Sequence, residues 1–325
     1  MVPAVARFGE LVERYDGFLF DAYGVLVDAS GPTAGAAAAI AAVRAAGKPL
    51  AVVTNDASRL PATAAARFAR VGLPIAADEV VSSGQMLAPH VAAAGLAGAR
   101  ALVLGTADAQ AYAAGAGLVV TALADDAAID AVVICDDAGF DFLAGMNAAL
   151  TASVRALDAG RPLALIVANP DLVFPRGPGA LGFTAGTMAA MIDAVLRRRY
   201  AAPPTFVALG KPAPAIFAAA RARLGDPPRL LMVGDQLETD IAGARAIGID
   251  AALVAGVSVW RDGVVAAALA PHWLLDGREI VGQRAVPRQR RVGDRVAQAE
   301  VRGVQRQPRR PRAELPRDVA AVLRV

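Results

Sequence analysis

Three short apolar runs, far apart along the chain, each end in polar residues, and together they constrain the fold. They are Gly17-Phe18-Leu19-Phe20 before Asp21, Leu50-Ala51-Val52-Val53 before Thr54-Asn55-Asp56, and Leu230-Leu231-Met232-Val233-Gly234 before Asp235. A run of four or more apolar residues has no solvent-facing side, which suits a central strand of a parallel sheet covered on both faces. In open α/β sheets, ligands bind beyond the carboxyl ends of such strands. Two carboxylates and a hydroxyl delivered to one sheet end suit a divalent cation and a phosphoryl group. One carboxylate remains to attack.

Between Asn55 and Lys211 lie 155 residues, far more than a strand–helix–strand crossover needs. Strand signals at Arg100 to Leu104, Asp130 to Cys135 and Leu163 to Ala168 alternate with helical stretches there. The gap therefore holds an independently packed α/β insert. The expected division is a core in two parts, 1–82 and 184–281, a cap at 83–183, and a tail at 282–325. Within the core, helices are expected at 33–46, ending at Gly47, and at about 60–71, with Pro61 near the start and Gly72 after it. Ala213, Ile216, Phe217, Ala220 and Leu224 share one helical face, stopped by Gly225. Thr239 is expected to cap a helix with Asp240 in its first turn and Gly248 at its end. Strands at Asp250 to Val254 and Trp273 to Leu275 follow.

A length of 325 residues leaves room for two domains. Hydrophobic residues make up 56% and mean hydropathy is +0.45, well above a disordered profile. No stretch of 18 uncharged apolar residues occurs, and the N-terminus lacks a basic flank followed by an apolar core, so neither a membrane span nor a secretory signal is expected. Cys135 is the only cysteine, which excludes an intrachain disulfide and a cysteine metal cluster. A cytoplasmic protein fits this profile.

The net charge of +3 conceals an uneven distribution: residues from Gly282 on carry 12 Arg and 4 acids, which leaves the rest mildly acidic. That tail is poor in bulky apolar residues and is expected to be disordered. It reads either as an arm for nucleic acid or membrane surfaces or as a plain extension; without aromatic interleaving or a basic amphipathic helix, no specific nucleic acid and no membrane is expected as partner. Lys48 and Lys211 are the only lysines among 33 basic residues, so Lys211 in Gly210-Lys211-Pro212 suggests a site that wants a compact ammonium.

With Gly210-Lys211-Pro212 and Thr239-Asp240, the three strand ends form four motifs in a fixed order. By these the chain resembles the haloacid dehalogenase superfamily of phosphohydrolases. The resemblance is to its class IIA branch of 4-nitrophenylphosphatase-like and sugar-phosphatase-like proteins, over roughly residues 12 to 280. It implies an α/β fold with a Rossmann-like parallel-sheet core and a large inserted α/β cap. It also implies a Mg²⁺-dependent phosphatase that acts on a small phosphorylated metabolite through an aspartyl-phosphate. Asp21 would be the nucleophile, making a mixed anhydride that water cleaves more readily than the ester. Asp21, the backbone carbonyl of Tyr23 and Asp235 would hold Mg²⁺, with Asp240 supporting them. Thr54, Asn55 and Lys211 would grip the phosphate, and Lys211 would also screen Asp21 from it.

Tyr23 departs from the family pattern, which usually has a second Asp two residues after the nucleophile as acid and base. A phenol can donate a proton but is a poor base at neutral pH. Asp56 and a metal-polarised water are substitutes, and a catalytically weak phospholigand-binding protein is the alternative function. In the cap, Asn169-Pro170-Asp171 and the loop through Arg176 resemble a segment that reaches over the site, with Asp171 accepting bonds from substrate hydroxyls and Arg176 meeting a second anion. An ordinary turn closing a strand is the competing reading. Asp136-Asp137 is expected in a cap loop near the substrate entrance, and a homodimer formed through the cap is left open.

Overall fold

The computed structural model describes residues 3–124, 126, 128–177, 180–255 and 269–276. The tail expected at 282–325 lies outside the described residues. All three apolar runs are buried central strands of one parallel sheet. Among the described residues its order is Ala4–Val5, Trp273–Asp276, Asp250–Ala255, Leu230–Gly234, Gly17–Phe20, Leu50–Thr54 and Val80–Ser82. From Gly17–Phe20 the chain moves to one side, into Leu50–Thr54; from Leu230–Gly234 it moves to the other, into Asp250–Ala255. The order thus reverses between the two strands that end at Asp21 and Asp235, where an α/β sheet opens a crevice at its carboxyl edge. Val233 pairs with Phe20, so the two carboxylates leave the sheet side by side.

A second parallel sheet is inserted in this core, in the order Val207–Ala208, Ala164–Val167, Ala131–Ile134, Arg100–Leu104 and Val119–Thr121. The helices Phe142–Asp158 and Ala185–Arg199 cover one face, burying Met146, Ala149, Met188 and Ile192 among others. These elements pass the boundary expected at 183: Ala185–Arg199 packs on the inserted sheet, and Val207–Ala208 extends it. The reason is apolar matching, because the buried stripe of that helix meets Val132, Ile134 and Leu165. The opposite face shares one apolar cluster with the core, running from Leu19 and Val53 through Leu87 and Val91 to Val103 and Val133. The insert therefore lacks the separate packing expected of it on this side.

Several short elements carried too little periodicity to read: the strand Ala4–Val5, the helix Phe8–Arg14, and an antiparallel hairpin of Val173–Gly177 with Ala180–Phe183. The expected N-cap at Thr239 is replaced by a π-turn over Leu237–Ile241, in which the Ile241 N–H donates to the Gln236 carbonyl at 3.2 Å. The helix Ala242–Ala246 follows. Asp240 itself reaches back to the start of this turn, accepting from the Asp235 and Gln236 N–H groups at 3.2 and 3.1 Å. No helix among the described residues is long and apolar enough to cross a membrane.

One side of the core sheet rests on an aromatic cluster: the Phe18 ring lies 5.7 Å from Phe8 and 6.2 Å from Phe20, centroid to centroid. Phe18→Ala removes a fully buried ring and should cost about 3–5 kcal/mol in denaturant unfolding. Val5→Ala, at a side chain 75% exposed, should change stability by less than about 0.5 kcal/mol. Equal shifts would contradict the assigned packing.

Candidate active site

Asp21 follows its strand directly, and its N–H donates to the Val233 carbonyl at 2.9 Å. Its Oδ1 accepts from the Ala22 N–H at 2.7 Å and from Lys211 Nζ at 2.6 Å. The same ammonium donates to Asp240 Oδ1 at 2.6 Å. Asp21, Lys211, Asp235 and Asp240 are all buried. Two of the three carboxylates thus bond one ammonium away from water, with Asp235 beside them. Burial pushes Asp21 up to about 7, with the charge of Asp240 adding to it and Lys211 opposing it. Asp235 lies well above the usual carboxylate range, through burial first and then the charges of Asp21 and Asp240. For Lys211, burial disfavours the cation, yet Asp21 and Asp240 outweigh it and raise its pKa.

The surplus negative charge has a geometric counterpart. Oxygens of Asp21, Asp235 and Asp240 lie within 4.8 Å of one another, and Asp235 Oδ1 is buried without a hydrogen-bond partner among the described residues. A buried orphan acceptor is costly unless something satisfies it. A hard divalent cation with oxygen ligands fits both the orphan atom and the charge. Two glycines allow this closeness. Gly24 has φ +90°, and a Cβ there would come within 2.5 Å of Asp235 Oδ2; a Cβ on Gly234 would come within 2.2 Å of Asp240 Cβ.

Thr54 and Asn55 close the neighbouring strand, facing the same cavity. The Asn55 side chain accepts from the Lys211 N–H at 2.6 Å and donates to the Lys211 carbonyl at 3.1 Å and to Asp171 Oδ1 at 2.9 Å. One amide thereby fixes the lysine loop and ties it to the inserted sheet, a role hidden in the sequence because its partners are over 100 positions away. Thr54 Oγ1 accepts from the Asp56 N–H at 3.1 Å. Asp56 lines the cavity, but Oδ1 accepts from the Ser58 N–H and hydroxyl, and Oδ2 pairs with Arg59 at 2.6 Å.

Tyr23 borders the cavity. Its hydroxyl accepts a hydrogen bond from Arg67 of the helix Pro61–Arg70, whose guanidinium lies 5.1 Å from the ring centroid. Nothing in the spacing of Arg67 announced this contact.

The cavity, of about 260 Å³, joins Asp21, Tyr23, Thr54, Asn55, Asp56 and Lys211 to Asn169, Asp171, Val173, Phe174 and Pro175 of the insert. Asn169 accepts from the Asp171 N–H at 3.0 Å and donates to Thr184 Oγ1 at 3.2 Å. Asp171 is raised by burial, with Lys211 opposing. Arg176, expected to meet a second anion, is exposed and does not line the cavity. Its stem lies over Gly182 of the paired hairpin strand. Asp136 and Asp137 do line the cavity. They carry the same signature as Asp21 and Asp235, acids just past a buried apolar strand, here Ala131–Ile134. Burial pushes Asp136 up to about 6, with Asp137 and Asp56 adding and the Ala138 N–H opposing.

Comparison with known proteins agrees with this geometry. Residues 18–119 match the family model of haloacid dehalogenase-like hydrolases, and residues 208–277 match a second, HAD-hydrolase-like model. The chain is 34% identical over 259 residues to the D-glycerol 3-phosphate phosphatase of Mycobacterium tuberculosis, covering 79% of this chain and 67% of that protein. The crystal structure of a possible sugar phosphatase from Cytophaga hutchinsonii superposes with a TM-score of 0.66 at 30% identity, covering 78% and 88% of the two chains. That of a glycerol phosphate phosphatase from Mycobacterium tuberculosis in complex with magnesium gives 0.66 at 30%, covering 86% and 79%. With the crevice at the strand reversal, the inserted cap and a third or so of its residues shared with such relatives, this chain belongs to the haloacid dehalogenase-like hydrolases.

Proposed function

We propose that this hydrolase is a Mg²⁺-dependent phosphatase of small phosphate monoesters, glycerol 3-phosphate among them, working through an aspartyl-phosphate on Asp21. The observation that carries the reading is the buried cluster of Asp21, Asp235 and Asp240 around one ammonium, with Asp235 Oδ1 left for a cation. The magnesium complex of the mycobacterial relative and its glycerol phosphate substrate support the choice of ion and ester. Asp21, Asp235 and the carbonyl of Tyr23 would hold Mg²⁺, which when bound neutralises charge on the phosphoryl oxygens. The cap would comprise the inserted sheet with its helices, from about residue 83 to the strand Val207–Ala208.

Asp21 attacks phosphorus as the ester oxygen leaves. Lys211 and the Thr54 hydroxyl stabilise the transferring group, whose charge spreads over its equatorial oxygens. The leaving alkoxide needs a proton, and Tyr23 would give it: Arg67 donates to its oxygen, so the phenol's own hydrogen is not used in that bond. The phenolate that results lies beside the Arg67 guanidinium. It recovers its proton from the water that attacks the aspartyl-phosphate and releases phosphate and Asp21. Asp56, the competing candidate for base, already accepts from Ser58 and Arg59.

Phosphate release from glycerol 3-phosphate and p-nitrophenyl phosphate, with and without a chelator, tests the core of this reading. Activity should require Mg²⁺ and fall by about 10³-fold or more in Asp21→Asn. Binding of phosphate esters without turnover would instead favour a phospholigand-binding protein. The acid is tested separately. Tyr23→Phe should lower kcat for glycerol 3-phosphate by about 10²-fold and do much less for p-nitrophenyl phosphate, whose leaving group needs no proton. A uniform small loss, with Asp56→Asn abolishing turnover, would move the acid and base to Asp56.

A further inference from the structure

The cavity is unevenly charged. On the phosphate side, Lys211 is shared between Asp21 and Asp240. To the rest of the lining the insert contributes Asp136, Asp137 and Asp171 and the core contributes Asp56. Against these four carboxylates, Arg59 is the one guanidinium lining the cavity among the described residues, and it is paired to Asp56 at 2.6 Å. Arg176 is exposed on the hairpin, outside the lining, with its charge felt by Asp137. The remaining wall is apolar or neutral: Val173, Phe174, Pro175, Asn169 and Thr184.

Ionised carboxylates accept hydrogen bonds and donate none. They suit the hydroxyls of a polyol and repel a second anion, the more so where little water screens them. Asp136, raised only to about 6, is still charged at neutral pH. Asp171 is already engaged with Asn55, which leaves the Asp136-Asp137 pair to meet the alcohol.

We propose that Asp136 and Asp137 form a charge filter, admitting phosphate esters of short, neutral, hydroxyl-bearing alcohols and rejecting esters whose alcohol part carries a second negative charge. The filter rests on the phosphatase reading above and names the substrate class of the same site. With about 260 Å³, the cavity has room for a phosphate and an alcohol of a few carbons.

Glycerol 3-phosphate and 3-phosphoglycerate form a matched pair, with the same three-carbon frame and a hydroxymethyl group replaced by a carboxylate. In the unaltered protein kcat/KM should favour glycerol 3-phosphate at least tenfold. In Asp136→Asn combined with Asp137→Asn, with folding checked by thermal melt, that ratio should narrow about tenfold. An unchanged ratio overturns the filter, as does a preference for 3-phosphoglycerate that disappears in Arg59→Met. Calorimetric binding of both esters to Asp21→Asn protein reads the same selectivity without turnover. A preference there, with no phosphate release from the unaltered protein, upholds the filter and refutes the phosphatase reading. Equal affinity, or binding of neither ester, overturns the filter.

Discussion

Lys211 Nζ lies 2.6 Å from Asp21 and 2.6 Å from Asp240 in a site nearly closed to water. Bringing these charges out of water is expensive, and only close, well-made pairs offset it. The arrangement is overloaded, with three carboxylates around one ammonium, so it is incomplete as a set of charges. That incompleteness is what equips the site to take up a cation and then a phosphoryl group. The rest of the site is arranged to hold it. Gly24 and Gly234 give up side chains so that Asp235 and Asp240 can approach the strand ends, and Asn55 clamps both backbone groups of Lys211.

The inserted sheet completes the other wall, and its position is tied to the same loop. Thr106 donates to the Ser58 carbonyl at 2.6 Å, Tyr112 to the Arg59 carbonyl at 2.8 Å, and the Leu60 N–H to Asp108 at 2.9 Å. Residues 54 to 60 therefore serve the phosphate side with Thr54 and Asn55 while fixing the helix Ala107–Gly115 above them. With the shared apolar cluster behind, this leaves the insert anchored along one flank. The Asn169–Asp171 turn and the hairpin approach the cavity from beyond it.

How much of this the sequence disclosed follows from the range of the interactions. The central strands were legible because burial on both faces leaves unbroken apolar runs; Asp21, Thr54 and Asp235 were legible because they end or follow such runs, and Lys211 because lysine is so rare in this chain. The π-turn at Leu237–Ile241 was not, since Asp240 replaces a conventional cap through contacts that only Gly234 permits. The continuation of the insert past 183 was hidden because a buried helix stripe does not say which sheet it covers. The hairpin that carries Arg176 was read as a loop, because its two short strands hold too little periodicity. The contact of Arg67 with Tyr23 joins residues 44 positions apart, and no local pattern encodes it.

The most direct test of the charge arrangement is the thermal melting of Lys211→Met with and without Mg²⁺. Removing one partner of a buried ion pair typically costs 3–5 kcal/mol, so the metal-free variant should melt about 10 °C below the unaltered protein. Mg²⁺ should recover part of that loss by supplying positive charge to the same carboxylates. A Lys211→Met protein that melts at or above the unaltered protein, with Mg²⁺ making no difference to either, would contradict the central role given to this lysine.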